Sequence, residues 1–80
     1  MRLRSEPSAA GSCRIQLSIG AKIRREREKL GISQEQFGEL AGVHRTYVGM
    51  VERGEKNITI HNLIRFADAL KLQVRDLIDF

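Results

Sequence analysis

The chain has 80 residues, which is enough for one small domain with a modest core. Apolar residues make up 41% of it, so a packed core is expected rather than a disordered chain. The single cysteine excludes an internal disulfide bond, and the sequence has neither a cysteine–histidine cluster for zinc nor an apolar run near the ~18 residues of a membrane span.

The net charge of +4 is unevenly distributed along the chain. Residues 57–80 contain three basic and three acidic residues, so the whole excess lies in the first two thirds. A nucleic-acid-binding surface is therefore expected there. We expect no cofactor, no metal and no secretory signal, and a lone cysteine suits a cytoplasmic protein.

The first predicted element is a helix that begins near Ile15. Its apolar residues share one helical face, and they are Ile15, Ile19, Ile23 and Leu30. Gly31 ends the helix, because glycine takes the left-handed conformation without a side-chain clash. Residues 1–14 have no such period and contain the only proline, which predicts a flexible arm or an expression remnant, with the folded domain at residues 15–80.

The second helix starts with a capping box. The Ser33 hydroxyl can accept a hydrogen bond from the Gln36 amide, and the Gln36 side chain can reach back to the Ser33 amide. An apolar stripe follows, made of Phe37, Leu40 and Ala41. Gly42 then ends this helix.

Three more helices are expected. Helix 3 runs from Arg45 to Arg53, with Tyr47 partly exposed; helix 4 runs from Ile60 to Leu70; and a short last helix follows. The apolar residues of these helices are Val48 and Val51 in helix 3, Leu63, Ile64, Ala67 and Leu70 in helix 4, and Val74, Leu77 and Ile78 in the last, with Phe80 at the end. No alternating pattern suggests a strand, so the fold class is all-α with five helices.

Residues 34–54 have the features of a helix-turn-helix. Gly38 lies where the two helices cross closely, and Gly42 lies where a tight turn needs a positive φ. Val48 is apolar at the position that docks helix 3 on helix 2. A small residue, a turn glycine and a buried aliphatic residue, followed by a polar helix face, predict a DNA-reading unit.

The segment SQEQFGELAGVHRTYVGMVERGEKN resembles the helix-turn-helix of the phage repressor and Cro family. The likeness extends from about Ile19 to Phe80 and implies a lambda-repressor-like DNA-binding domain. Within that family, HRTYVGMVERGEKNITI looks most like the controller proteins of restriction–modification systems. Those are small homodimeric transcription factors that bind operator DNA and time expression of the endonuclease.

The resemblance implies DNA-contacting roles for two groups of residues. The expected base-reading residues are Arg45, Thr46, Tyr47 and Met50. Arg45 could bind guanine through O6 and N7. The residues expected at the DNA backbone are Gln34, His44, Arg53, Lys56 and Asn57. His44 occupies the usual helix-cap position and is expected to contact a phosphate instead of capping.

The resemblance also implies a partly buried ion pair between Arg27 and Glu52, joining helix 1 to helix 3. Two positions depart from the family pattern in helix 1, where Glu26 replaces an aliphatic residue and Leu30 a basic one. Lys71 stands where glycine often ends helix 4, so left-handed strain is expected there.

The C-terminal segment is expected to form a twofold dimer interface, with help from helix 4. Its residues are Val74, Leu77, Ile78 and Phe80, some of which would instead close the core. Two acidic residues of helix 2, Glu35 and Glu39, could contact RNA polymerase, although a solvated helix face explains them equally well.

An enzyme is not expected, because no nucleophile–base pair or phosphate-cradling glycine loop appears. Two alternatives of the same fold stay open. One is an antitoxin whose main partner is a toxin, and the other is a phage-type repressor. The operator sequence and the choice between activation and repression lie outside this sequence.

Overall fold

The computed structural model describes residues 9–78, with side chains described from Arg14 onward. Five helices follow one another: α1 (Ala9–Lys29), α2 (Gln34–Ala41), α3 (Arg45–Glu52), α4 (Ile60–Leu70) and α5 (Val74–Leu77). Residues 9–78 contain no strand. The predicted all-α, five-helix architecture is confirmed. No helix in this range is long and apolar enough to cross a membrane.

Helix α1 begins at Ala9, earlier than the predicted start near Ile15. Periodicity missed this first part, because residues 9–14 are small or polar and give no apolar repeat, although Ala9 and Ala10 favour a helix. Residues 1–8 lie outside the described range. A DNA-reaching or remnant role for residues 1–14 stays a prediction.

The core is built around an edge-to-face contact between Phe37 of α2 and Phe66 of α4. Their ring centroids lie 5.0 Å apart at an interplanar angle of 87°, which is a favoured aromatic geometry. Ile23, Val48 and Leu77 are also fully buried. Helices α1, α2, α3, α4 and α5 therefore share one core.

Four apolar residues were wrongly expected on buried faces: Ile15, Leu30, Leu40 and Ile64 are all exposed. In α4 the other three expected residues are buried, but Phe66 is buried instead of Ile64. Leu30 lies beyond the end of α1, and α2 buries only the side that carries Phe37 and Ala41. Helical periodicity finds an apolar face, but neighbouring helices decide how wide it is.

The ends of α2 form as predicted. The Ser33 Oγ accepts from the Gln36 amide at 3.0 Å, and the Gln36 Oε1 accepts from the Ser33 amide at 2.8 Å. Gly42 has a φ of 78°. A Cβ added to Gly38 would lie 2.6 Å from the carbonyl oxygen of Val43, so the close approach predicted at this glycine is confirmed.

Helix α4 ends in a strained residue. Lys71 stands where glycine often ends this helix, and it has the left-handed φ of 60° that was expected there. For a side chain other than glycine, that conformation costs about 1–2 kcal/mol. The structure thus confirms the expected strain at this position.

Helices α1 and α3 cross at Gly20, a position that the apolar repeat of α1 does not mark. A Cβ on Gly20 would collide with the carbonyl oxygen of Val51 and lie 2.7 Å from that of Glu52. Only glycine therefore fits at this crossing without moving a helix. The crossing places the C-terminal end of α3 against α1.

Candidate DNA-binding surface

The turn between α2 and α3 ends in a histidine cap. The Nδ1 atom of His44 accepts a hydrogen bond from the Thr46 amide at 3.0 Å. His44 was expected to contact a phosphate instead of capping α3, and the structure shows that it does cap this helix. The phosphate contact stays a prediction. Because Nδ1 is the acceptor, the neutral ring carries its hydrogen on Nε2, which can still donate to an anion.

The first turn of α3 presents polar side chains to solvent. Arg45 and Thr46 are both exposed. The Nη1 atom of Arg45 lies 3.5 Å from Glu35 Oε1 of α2, a long contact between two exposed groups. A contact of this kind contributes little to stability. It leaves the guanidinium able to turn toward a base edge.

Tyr47 is held by α4 rather than projecting freely. Its ring meets Phe66 edge to face, with centroids 6.0 Å apart, and its hydroxyl oxygen accepts from Asn62 Nδ2 at 3.1 Å. The hydroxyl hydrogen can still donate to DNA, but the ring cannot swing without losing core contact. No local pattern points to Asn62, since this partner lies 15 residues along the chain from Tyr47. Met50 is half-buried in the same helix.

A buried ion pair connects α1 to α3, as the resemblance implied. Arg27 Nη2 donates to Glu52 Oε1 at 3.1 Å, and Arg27 Nε donates to Oε2 at 2.6 Å. The two side chains are 10% and 2% exposed. The hydrogen bonds to Glu52 raise the pKa of Arg27, against the opposing effect of burial. The arginine therefore stays charged.

The same carboxylate also binds the first residue of α2. Gln34 Nε2 donates to Glu52 Oε1 at 3.0 Å, and Arg27 Nη1 donates to the Ile32 carbonyl at 2.8 Å. Three helices thus meet at Glu52. One hydrogen of the Gln34 amide is committed to this network, which leaves its second hydrogen for the predicted phosphate contact.

Gln34 and Arg53 approach each other over Gly49, in the middle of α3. A Cβ on Gly49 would lie 3.1 Å from Arg53 Nη1 and 3.4 Å from Gln34 Oε1. Two residues expected at the DNA backbone are therefore neighbours, although they are far apart in sequence. Lys56 and Asn57 are exposed in the loop after α3.

Arg53 is paired with Glu55, an acidic residue that was not among the predicted site residues. Its Nε donates to Glu55 Oε2 at 2.8 Å and its Nη2 to Oε1 at 3.2 Å. The hydrogen bonds between the two side chains, together with the attraction of their charges, raise the pKa of Arg53 and lower the pKa of Glu55. An acid between two bases, Arg53 and Lys56, was the signal that could have drawn attention to it.

The predicted dimer residues that lie within residues 9–78 do not share one surface. Leu77 is 1% exposed and closes the core, so its expected place in an interface is wrong. Val74 packs partly against the same core, whereas Ile78 is exposed. Phe80 lies outside the described residues. The reason is that α5 is a single turn whose inward side is needed to cover α1 and α4.

An apolar groove lies beside Ile78. It is lined by α1, the loop after α3 and the start of α4, including Ile15, Ile60 and Leu63. Ile60 is 68% exposed at the first position of α4. The groove, unlike Leu77, therefore exposes apolar side chains to solvent.

A family model described as helix-turn-helix matches residues 23–77, most of the chain, including α2 and α3. The chain belongs to the helix-turn-helix family. It is a DNA-binding transcriptional regulator of the type that the resemblance predicted.

Two relatives are control proteins. The chain is 43% identical over 60 residues to control protein C.SmaI of Serratia marcescens, covering 75% of this chain and 71% of that protein. It is 39% identical over 67 residues to control protein C.BamHI of Bacillus amyloliquefaciens, covering 82% and 83%. The predicted likeness to controller proteins is confirmed.

Solved structures agree with this assignment. The restriction–modification controller protein C.AhdI from Aeromonas hydrophila matches with a TM-score of 0.76 and 39% identity, over 78% of this chain and 94% of that one. The P22 c2 repressor, solved with a synthetic operator, matches with a TM-score of 0.73 and 31% identity, over 76% and 92%. The lambda-repressor-like fold is confirmed.

Proposed function

We propose that this regulator binds a pseudo-palindromic operator as a homodimer and controls the genes of a restriction–modification system. The observation that carries DNA reading is the first turn of α3, where Arg45 and Thr46 are exposed beside the capped turn. The names of the relatives support the restriction–modification assignment.

Base reading in this proposal rests on Arg45, with Thr46, Tyr47 and Met50 beside it. A guanidinium can donate two parallel hydrogen bonds to O6 and N7 of guanine in the major groove. The weak Arg45–Glu35 contact at 3.5 Å is easily exchanged for that pair. Tyr47, held by Asn62, is assigned a fixed contact rather than an adaptable one.

Backbone positioning rests on residues at both ends of the helix-turn-helix. Gln34 is at the N-terminus of α2, where amide groups and the helix dipole favour a phosphate. His44 can donate from Nε2 while its other nitrogen caps α3. The exposed group after α3 completes the set, and its members are Arg53, Lys56 and Asn57.

Replacing Arg45 with alanine is expected to lower operator affinity by about 5- to 150-fold, the equivalent of about 1–3 kcal/mol, and to relax the preference at one base pair.

Replacing Lys56 with alanine is expected to weaken binding to operator and to random DNA alike and to reduce the salt slope of binding by about 1. The operator would first be selected from random DNA, which also reports half-site spacing. Fluorescence anisotropy across a salt series then separates the two roles. Parent-like binding by both variants would remove the site assignment.

Dimerisation in this proposal uses the apolar groove and the exposed face of α4, with Ile60, Ile64 and Ile78 as its apolar residues. A twofold interface there would bring two reading helices to adjacent major grooves, about 34 Å apart. Residues Val74 and Leu77 contribute by supporting α5 from within the core.

Replacing Ile60 with glutamine is expected to raise the dimer dissociation constant by about 100-fold or more, because each of two symmetric copies loses about 1.5 kcal/mol of apolar burial. Sedimentation equilibrium measures this directly. Leu40→Gln is the matched control, since Leu40 is 63% exposed on α2, away from the groove. A parent protein that is monomeric at operator-filling concentrations would contradict the proposal.

Contact with RNA polymerase is assigned to Glu35 and Glu39, which are both exposed on α2. The likeness to the P22 c2 repressor favours a second candidate, a regulator that only represses. Transcription from a promoter placed downstream of the operator distinguishes the two. Loss of activation in Glu39→Gln, with operator binding retained, supports the polymerase contact.

A further inference from the structure

The pair formed by Arg53 and Glu55 has the geometry of an arginine–phosphate contact. Two nitrogens of one guanidinium donate to two oxygens of one anion, at 2.8 and 3.2 Å. Arginine binds carboxylate and phosphate in the same forked manner. In the free protein, the Glu55 carboxylate thus accepts the hydrogen bonds of Arg53, the residue that is proposed to contact the DNA backbone.

This pair does not hold the fold together. The Arg53 and Glu55 side chains are 57% and 55% exposed, and the two residues are separated by a single glycine in the loop after α3. Such exposed pairs add little to stability. The contrast is with Arg27 and Glu52, which are nearly buried and connect two helices. Removing the pair should therefore leave the fold intact, so its effect on DNA binding can be measured separately from stability.

We propose that Glu55 is an affinity-determining residue that competes with a DNA phosphate for Arg53. The inference rests on the proposed assignment of Arg53 to the DNA backbone. To bind DNA, the Arg53 guanidinium must either leave the Glu55 carboxylate or donate to the carboxylate and a phosphate at the same time. In either case the two hydrogen bonds from Arg53 to Glu55 are lost or divided, and that loss lowers the net gain from the phosphate contact.

The competition acts on every DNA sequence, because phosphates carry no base information. Glu55 therefore lowers binding to operator and to random DNA by the same factor. Random DNA is held mainly through phosphates, so residence on it shortens. The concentration at which the operator fills rises correspondingly, while the preference set by Arg45 is unchanged.

The test measures anisotropy of a labelled random-sequence duplex and a duplex selected from random DNA, with the full chain, across a salt series. Glu55→Gln is expected to tighten binding to both by about three- to fivefold and to steepen the salt slope by about 1. In an Arg53→Ala background, the same substitution should change affinity by less than about twofold, since the contested group is gone.

Glu28→Gln is the matched control. It removes one negative charge and one exposed pair, Arg24–Glu28 on α1, whose atoms are 3.1 Å apart. At physiological salt a charge change remote from the DNA is largely screened, so its effect on affinity should be small. A gain equal to that of Glu55→Gln would show a net-charge effect and overturn the proposal.

Two further outcomes overturn the competition. Weaker binding by Glu55→Gln would mean that the carboxylate orients Arg53 for DNA rather than blocking it. An equal gain with and without Arg53 would mean that Glu55 acts independently of it. Failure of the underlying assignment is separate and visible, because Arg53→Ala alone would then bind both duplexes like the parent.

Discussion

Replacing Glu52 with alanine is expected to destabilise the domain by about 3–5 kcal/mol, because a nearly buried arginine loses its counter-ion. Arg27 would keep its hydrogen bond to the Ile32 carbonyl but lose both bonds to the carboxylate, and Gln34 would lose its partner. Total stability of a small domain is about 5–15 kcal/mol, so this loss approaches unfolding at room temperature. Urea unfolding followed by circular dichroism measures it.

The exposed pair on α1 supplies the control for this experiment. Glu28→Ala removes a carboxylate that lies 3.1 Å from Arg24 in the i,i+4 relation, and about 0.3–0.5 kcal/mol should be lost. A Glu52→Ala variant that melts like Glu28→Ala would contradict the structural role of the buried pair.

A double replacement separates stability from orientation. In Arg27→Met with Glu52→Leu, both charges are gone and apolar groups of similar size fill the site, so much of the stability should return. If the ion pair orients the reading helix, this folded variant should still bind operator more weakly than the parent. Operator binding equal to the parent's would limit the pair to a stabilising role.

The helix boundaries could be predicted where the deciding signal is local. The capping box joins Ser33 to a residue three positions away, and the turn at Gly42 needs only its own positive φ. The starts of α3 and α4 are also capped locally, by His44 Nδ1 and the Thr59 hydroxyl, although the histidine cap was not expected. Such contacts depend on a few neighbouring residues and survive in any tertiary context.

The buried face of a helix depends on residues elsewhere in the chain. Apolar spacing placed Ile64 on the inner side of α4, but the contact with Phe37 of α2 buries Phe66 instead. Leu77 was expected to join an interface, but α5 turns it into the core. Periodicity therefore identified the helices better than it identified their orientation.

In the candidate site, too, some residues could be predicted from the sequence and others depend on how side chains meet in the folded chain. The resemblance supplied Arg45 and the Arg27–Glu52 pair, because these positions follow the family motif. It did not supply the hold of Asn62 on Tyr47 or the pairing of Arg53 with Glu55. Those contacts are chosen by side-chain geometry, which spacing along the chain does not encode.

Replacing Gly20 with alanine is expected to destabilise the protein by about 2–3 kcal/mol, even though alanine is the better helix former by about 1 kcal/mol. The added methyl group would collide with the carbonyl oxygen of Val51 and lie 2.7 Å from that of Glu52. Both are backbone atoms, so α1 and α3 must move apart. That movement also strains the contact between Arg27 and Glu52, so reduced stability should come with weaker operator binding.

Gly49→Ala is the matched control, because Gly49 is also a buried glycine inside a helix. Its added methyl group would meet only the ends of two flexible side chains, at 3.1 Å from Arg53 Nη1 and 3.4 Å from Gln34 Oε1. These can turn aside, so the free energy of unfolding should stay within about 1 kcal/mol of the parent's. Chemical unfolding of both variants decides the matter. If both glycines tolerate alanine equally, the helices do not cross as closely as the backbone distances require, and Gly20 has no special part in positioning the reading helix.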